Sequence, residues 1–121
     1  MTGGRSAQAK GRKGEMELAA FLRDHGYQDA RPGAALNYGK EPDVIGVDGL
    51  HIECKRREKL ELNKWYKQSQ DDAERMKDGL PVVIYRQNRH PWMIALSLAD
   101  FIKLTGGKSD DGKSNRSSES L

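Results

Sequence analysis

One cysteine, Cys54, occurs in the chain, so no intramolecular disulfide can form and zinc sites built mainly from thiolates are excluded. Any metal must be held by oxygen or imidazole. Apolar residues are also scarce, at 36% hydrophobic against 32% charged, which leaves material for only a small core. No apolar run approaches the roughly 20 residues that span a bilayer, and Met1-Thr2-Gly3-Gly4-Arg5 holds no secretory apolar segment. A cytoplasmic protein with no membrane partner is expected. Acids are missing from Met1 to Gly14, where Arg5, Lys10, Arg12 and Lys13 carry the charge, and Lys55-Arg56-Arg57 forms a second basic cluster. At a net charge of +3 these clusters could either meet nucleic-acid phosphate or lie as solvated surface, so position has to decide.

At 121 residues the length suits one domain. Residues 1–10 are polar, glycine-rich and aperiodic, which predicts a mobile basic arm. From Glu15, the apolar residues Met16, Leu18, Ala19, Phe21 and Leu22 fall at helical spacing, and Gly26 is placed to end that helix. Arg31 to Glu41 is loop chemistry, with room for a short strand near Ala30. Asp43 to Val47 and Leu50 to Lys55 read as two strands joined by an Asp48-Gly49 hairpin turn. Leu62 to Met76 suits a helix with one buried stripe. Val82 to Tyr85 and Trp92 to Leu96 read as strands, and Leu98 to Leu104 as a short helix capped by Ser97. Residues 105–121 have almost nothing to bury and predict a disordered tail, leaving 11–104 as the domain. The order α-β-β-α-β-β-α gives an α/β fold with a mixed sheet flanked by helices.

Alternation along Leu50-His51-Ile52-Glu53-Cys54-Lys55 puts His51, Glu53 and Lys55 on one side of the strand and Leu50, Ile52 and Cys54 on the other. Cys54 then reads as a small buried hydrophobe, and His51 as a surface or rim residue rather than a ligand. The hairpin returns Asp43 beside Glu53, so two carboxylates converge at one end of a sheet. Such an oxygen-only environment suits Mg2+ or Mn2+. Lys55, one pleat from Glu53, is placed to stabilise charge developing on phosphorus or to position the attacking water. Phosphodiester hydrolysis is the reaction such a set suits. Trp65 and Trp92 read as core.

Pro42-Asp43 followed by Glu53-Cys54-Lys55, ten residues from acid to acid, resembles the signature of the PD-(D/E)xK nuclease superfamily. The run Lys10-Gly11-Arg12-Lys13-Gly14-Glu15, with His25-Gly26-Tyr27, Arg31 and Leu80-Pro81-Val82-Val83, is similar to archaeal-type Holliday junction resolvases. Phage and prophage proteins of this kind look similar also at Lys64-Trp65-Tyr66-Lys67-Gln68 and Asn88-Arg89-His90-Pro91-Trp92. The resemblance implies a restriction-endonuclease-like core and a metal-dependent endodeoxyribonuclease with Glu15, Asp43, Glu53 and Lys55 as its catalytic set. It implies that Glu15 is the third metal carboxylate beside Asp43 and Glu53, with Glu17 the nearby alternative. Lys10, Arg12 and Arg31 would face DNA, together with Lys13, Arg56 and Arg57 of the basic clusters, and Gln68 would help orient the site.

A four-way DNA junction as substrate follows from the same resemblance. The two opposed cuts that a junction requires then suggest a homodimer. The phage likeness points to branched phage DNA inside a bacterial host cell. Another nuclease on the same fold, whether flap, nicking or restriction-like, and a DNA-binding module without chemistry are the alternatives.

Overall fold

Leu18 and Ala19 are the inward residues of α1 (Thr2–Asp24), and they set the position of everything that follows. The computed structural model describes residues 2–34 and 41–108, with side chains from residue 11 onward. The expected tail therefore falls largely at 109–121, outside the described residues. The backbone of α1 runs from Thr2, through the stretch that its lack of periodicity assigned to a mobile arm. Ala7, Gln8, Ala9, Lys10, Arg12 and Lys13 are strong helix formers, and a helix already nucleated on its buried C-terminal half propagates through them without an apolar face.

The strands β1 (Arg31–Pro32), β2 (Val44–Ile45), β3 (Leu50–Arg56), β4 (Leu80–Arg86) and β5 (Met93–Ala95) form one sheet in sequential order. β1–β2, β2–β3 and β4–β5 are antiparallel, and β3–β4 is parallel along its whole length, from Leu50 opposite Leu80 to Arg56 opposite Arg86. The parallel pair needs a crossover, which α2 (Leu62–Met76) supplies. The chain closes with α3 (Leu98–Leu104), where the Ser97 hydroxyl accepts the Asp100 N–H at 3.1 Å, the expected cap. The short strand near Ala30 is β1, so the order gains one strand over the sequence expectation.

β2 is shorter than its apolar run. Gly46 adopts φ +98° and passes so close to Asp29 that a Cβ on it would lie 2.1 Å from the Asp29 carbonyl oxygen. The strand must end there, and the chain returns through Asp48-Gly49, where Leu50 N–H donates to Val47 O at 3.3 Å.

The core lies between α1 and the sheet: Leu18 and Ala19 pack with Val44, Ile52, Val82 and Ile84. Leu22, Cys54, Trp92 and Leu96 are partly buried against it. α2 covers the other face of β3 and β4 with a stripe of Trp65, Ser69 and Ala73, and the Ser69 hydroxyl donates to Val82 O at 3.1 Å. His51, Glu53 and Lys55 face α2, whereas Ile52 and Cys54 pack toward α1, so the polar face of β3 is buried at His51 and Glu53 and stays partly exposed at Lys55.

Candidate active site

Asp43 stands immediately before β2 and is tied to β3 twice. Its N–H donates to Ile52 O at 3.0 Å, and one carboxylate oxygen accepts the Cys54 N–H at 2.8 Å. These bonds bring the Asp43 carboxylate close enough to Glu53 for its charge to bear on it. Glu53 is only 5% exposed. Lys55 Nζ lies 3.7 Å from Glu53 Oε2 and 5.9 Å above the Trp65 ring, so its ammonium is held between a carboxylate and an aromatic face. Glu15 reaches the same place from α1. Gly14 lets the helix approach: a Cβ there would meet the Arg56 Cβ at 2.9 Å.

Burial makes this cluster hard to ionise. It pushes Glu53 up to about 8, with the Asp43 charge adding to the effect and Lys55 opposing it. Glu15 is raised to about 7, again by burial first and by Asp43 second, with Arg12 opposing. Asp43 is also raised by burial, although the Cys54 N–H and Lys55 both favour its charged form. A divalent cation would relieve this concentration of acid, although among the described residues the ligand atoms of Glu15, Asp43 and Glu53 do not form a set that all lie within 4.8 Å of one another. Cys54 is partly buried, with its thiol pushed up by burial and by Asp43, which agrees with its reading as a packing residue.

An open cleft of about 840 Å3 lies over the cluster, lined by Glu15, Asp43, Glu53 and Lys55 and edged by Lys13 and Arg57. Arg56 also lines it, but its Nε donates to Glu17 Oε1 at 3.2 Å, and Arg86 pairs with the other Glu17 oxygen. Glu17 lines the same cleft but is paired with two guanidinium groups, whereas Glu15 senses the Asp43 charge. Arg12 donates to Gly33 O at 3.0 Å and sits 3.7 Å from Glu15. Arg31 is exposed on β1, its guanidinium on Asp29 O at 2.8 Å, and lies outside the cleft lining. The Lys10 side chain is outside the described residues. Gln68 is exposed on α2 and is not part of the cleft lining, so it is not brought to the carboxylates.

From α2 it is Asp72 that reaches the carboxylates, lying close enough for its charge to bear on Glu53. It stands in the stripe Trp65, Ser69, Asp72, Met76, at the helical spacing of a buried face, and an acid in such a stripe is a signal that the sequence does carry. His51 is not the rim residue expected. It is 1% exposed, with Nδ1 hydrogen-bonded to Asp78 Oδ1 at 2.8 Å, because α2 lies over the strand face that alternation alone left open.

Residues 6–115 match the family described as "Phage putative PDDEXK endonuclease". No curated protein matches the chain in sequence. Among solved structures, it is similar to Archaeoglobus fulgidus Hjc, a Holliday junction resolvase from an archaeal hyperthermophile. The identity is 18% and the TM-score 0.44, over 64% of this chain and 72% of that one. The mixed sheet flanked by helices is the restriction-endonuclease-like α/β architecture that the resemblance implied. With the acids of Pro42-Asp43 and Glu53-Cys54-Lys55 brought to one cleft and the match running over most of the sequence, this chain belongs to the phage PDDEXK endonucleases.

Proposed function

We propose that this endonuclease cuts branched DNA, acting as a Holliday junction resolvase on four-way junctions, and that it works as a homodimer. The observation that carries the catalytic part is the meeting of Asp43, Glu53, Glu15 and Lys55 under one open cleft edged by Lys13 and Arg57. The resolvase part is supported by the sequence likeness from Lys10-Gly11 to Glu15 and beyond.

Asp43, Glu53 and Glu15 are the residues we assign to hold Mg2+ or Mn2+, an all-oxygen set that suits these ions. The ion would supply charge neutralisation at the phosphate and a lowered pKa for the attacking water. Asp43 is kept from swinging by its hydrogen bond to the Cys54 N–H, so one carboxylate direction is fixed before substrate arrives. Lys55, already oriented by Glu53 and Trp65, presents its ammonium to the scissile phosphate, where charge builds in the transition state. Lys13 and Arg57, exposed at the edge of the cleft, take flanking phosphates and give recognition by shape rather than by base sequence.

Two copies related by a two-fold axis would make the paired cuts that a four-way junction needs. The exposed apolar residues Met93 and Ile94 on the edge strand β5 are the surface we assign to the partner copy.

The test is cleavage of a labelled synthetic four-way junction and a matched linear duplex, with Mg2+, Mn2+ or chelator, by the wild type and Asp43→Ala. Paired symmetric cuts confined to the junction, dependent on metal and lost in the variant, are expected. Metal-dependent cutting of the duplex instead keeps the active site and rejects the junction substrate. If no DNA structure is cut, the catalytic reading fails.

A further inference from the structure

His51 is an unusual residue to find sealed inside this sheet. It is 1% exposed, and its Nε2 is buried without a hydrogen-bond partner among the described residues. Its other nitrogen is committed: Nδ1 lies 2.8 Å and 3.1 Å from the two carboxylate oxygens of Asp78. An Nδ1–H donated to that carboxylate leaves Nε2 with its lone pair free. This is how a carboxylate prepares an imidazole to ligate a metal. A buried nitrogen left without a partner is costly, so something should satisfy it.

What lies nearby is acidic. One ring nitrogen of His51, one carboxylate oxygen of Glu53 and one of Asp72 all fall within 4.8 Å of one another. With Nδ1 taken by Asp78, Nε2 is the nitrogen that remains to serve. Ligand atoms around a first-row ion stand about 3–3.5 Å apart, given bond lengths of about 2.0–2.2 Å. Small side-chain movements therefore close the set. Asp72 gives one oxygen to Arg75, with Arg75 NH2 donating to Oδ1 at 2.8 Å, and keeps Oδ2 for another partner. The charges of Asp43 and Asp72 both bear on Glu53, with Lys55 at 3.7 Å as the cation nearest to it among the ion pairs of the described residues.

We propose that His51 Nε2, Glu53 and Asp72 form a second divalent-cation site, adjoining the Asp43 site and sharing Glu53 with it. The mixed nitrogen and oxygen donors select a transition ion such as Mn2+ or Zn2+ over Mg2+, which prefers oxygen alone. The nuclease would then hold two ions of different preference, with Asp78 fixing the tautomer of His51. This inference rests on the proposed nuclease reading only for the role of Glu53 in the first site.

The experiment uses the untagged full-length chain, stripped of metal and titrated with Mn2+. Bound ions are counted by calorimetry, and nitrogen-14 coupling to the bound Mn2+ is read by pulsed electron paramagnetic resonance. Two ions per chain and a nitrogen coupling are expected in the wild type. Asp72→Asn and His51→Gln should each bind one ion and lose the coupling, whereas Asp43→Asn should lose the other ion and keep the coupling. Asp78→Asn leaves all three ligands in place, and it should weaken the nitrogen-coupled ion about 10- to 100-fold.

Asp72 is partly exposed, so its variant keeps the test open if His51→Gln does not fold. No nitrogen coupling at saturating Mn2+, or a coupling that survives in Asp72→Asn, overturns the inference. A surviving coupling would come from a surface histidine. Mg2+-dependent DNA cleavage by the same wild-type preparation separates the two readings. Cleavage without nitrogen coupling rejects the second site alone, and coupling without cleavage rejects the nuclease reading alone.

Discussion

The Asp43 carboxylate accepts the backbone N–H of Cys54 at 2.8 Å, so the first acid of the site is hydrogen-bonded to the strand that carries Glu53 and Lys55. An amide oxygen can accept the same bond, but an amide carries no charge for a cation. Asp43→Asn is therefore expected to fold like the wild type while its metal-dependent cleavage falls by on the order of 10²-fold or more. Asp43→Ala should lose both cleavage and some stability. Single-turnover cleavage and thermal melts on the two variants check this.

Stability without metal should depend on pH in an unusual direction. Glu53 titrates near 8 and Glu15 near 7, against an ordinary value of 4.5, because burial disfavours their charged forms. Between those values the folded protein holds protons that the unfolded chain has already released. The stabilisation is complete below the ordinary value and is lost as pH rises through the folded ones. Melting from pH 5 to 9 in chelator should show the midpoint falling by about 5–10 °C. Glu53→Gln should flatten the curve, and saturating Mg2+ should offset the fall, because ion binding favours the deprotonated acids.

Glu15 and Glu17 lie two residues apart on α1 and have different surroundings. Glu15→Gln is expected to lower cleavage by about 10²-fold with little change in binding. Glu17 holds Arg56 and Arg86, so Glu17→Gln should mainly cost about 1 kcal/mol of stability, modest because these ion pairs are partly exposed. Cleavage rates and urea denaturation measured on both variants decide between them, and the reverse pattern would move the metal-ligand role to Glu17.

Phosphate contact should show in the salt dependence of DNA binding. Lys13→Ala and Arg57→Ala should each reduce the magnitude of the slope of log affinity against log salt by about 1. Gln68→Ala, at an exposed position outside the cleft lining, should leave both the slope and the cleavage rate unchanged.

Gly46 should tolerate no side chain. Its φ of +98° and the 2.1 Å approach of an added Cβ to Asp29 O predict that Gly46→Ala destabilises by at least about 2 kcal/mol, read by urea denaturation. Because Gly46 ends the strand that Asp43 begins, cleavage should fall with it.

Much of this was legible in the sequence. The α2 boundaries, the Ser97 cap and the pairing of Val44 with Ile52 follow from local rules of helical period, capping chemistry and strand alternation. These rules act over a few residues, so a linear reading finds them. The meeting of Asp43 with Glu53 was legible for the same reason, since a short hairpin joins them.

The N-terminal extent of α1 was not legible, because a polar helix has no apolar period to reveal it. Nor was the strand end at Gly46, which is set by the passage of Asp29 from an earlier part of the chain.

The sequence by itself determined the element types, the polar and apolar faces of β3, and the acid pair with its lysine. Only the tertiary structure decided what covers the polar face. Packing α2 across it buries His51 against Asp78, brings Asp72 toward Glu53 and leaves Gln68 in solvent. Periodicity states which side chains share a face, but the environment of that face depends on an element brought against it by the crossover between β3 and β4. That environment raises the Glu53 carboxyl pKa and leaves a histidine nitrogen without a partner among the described residues.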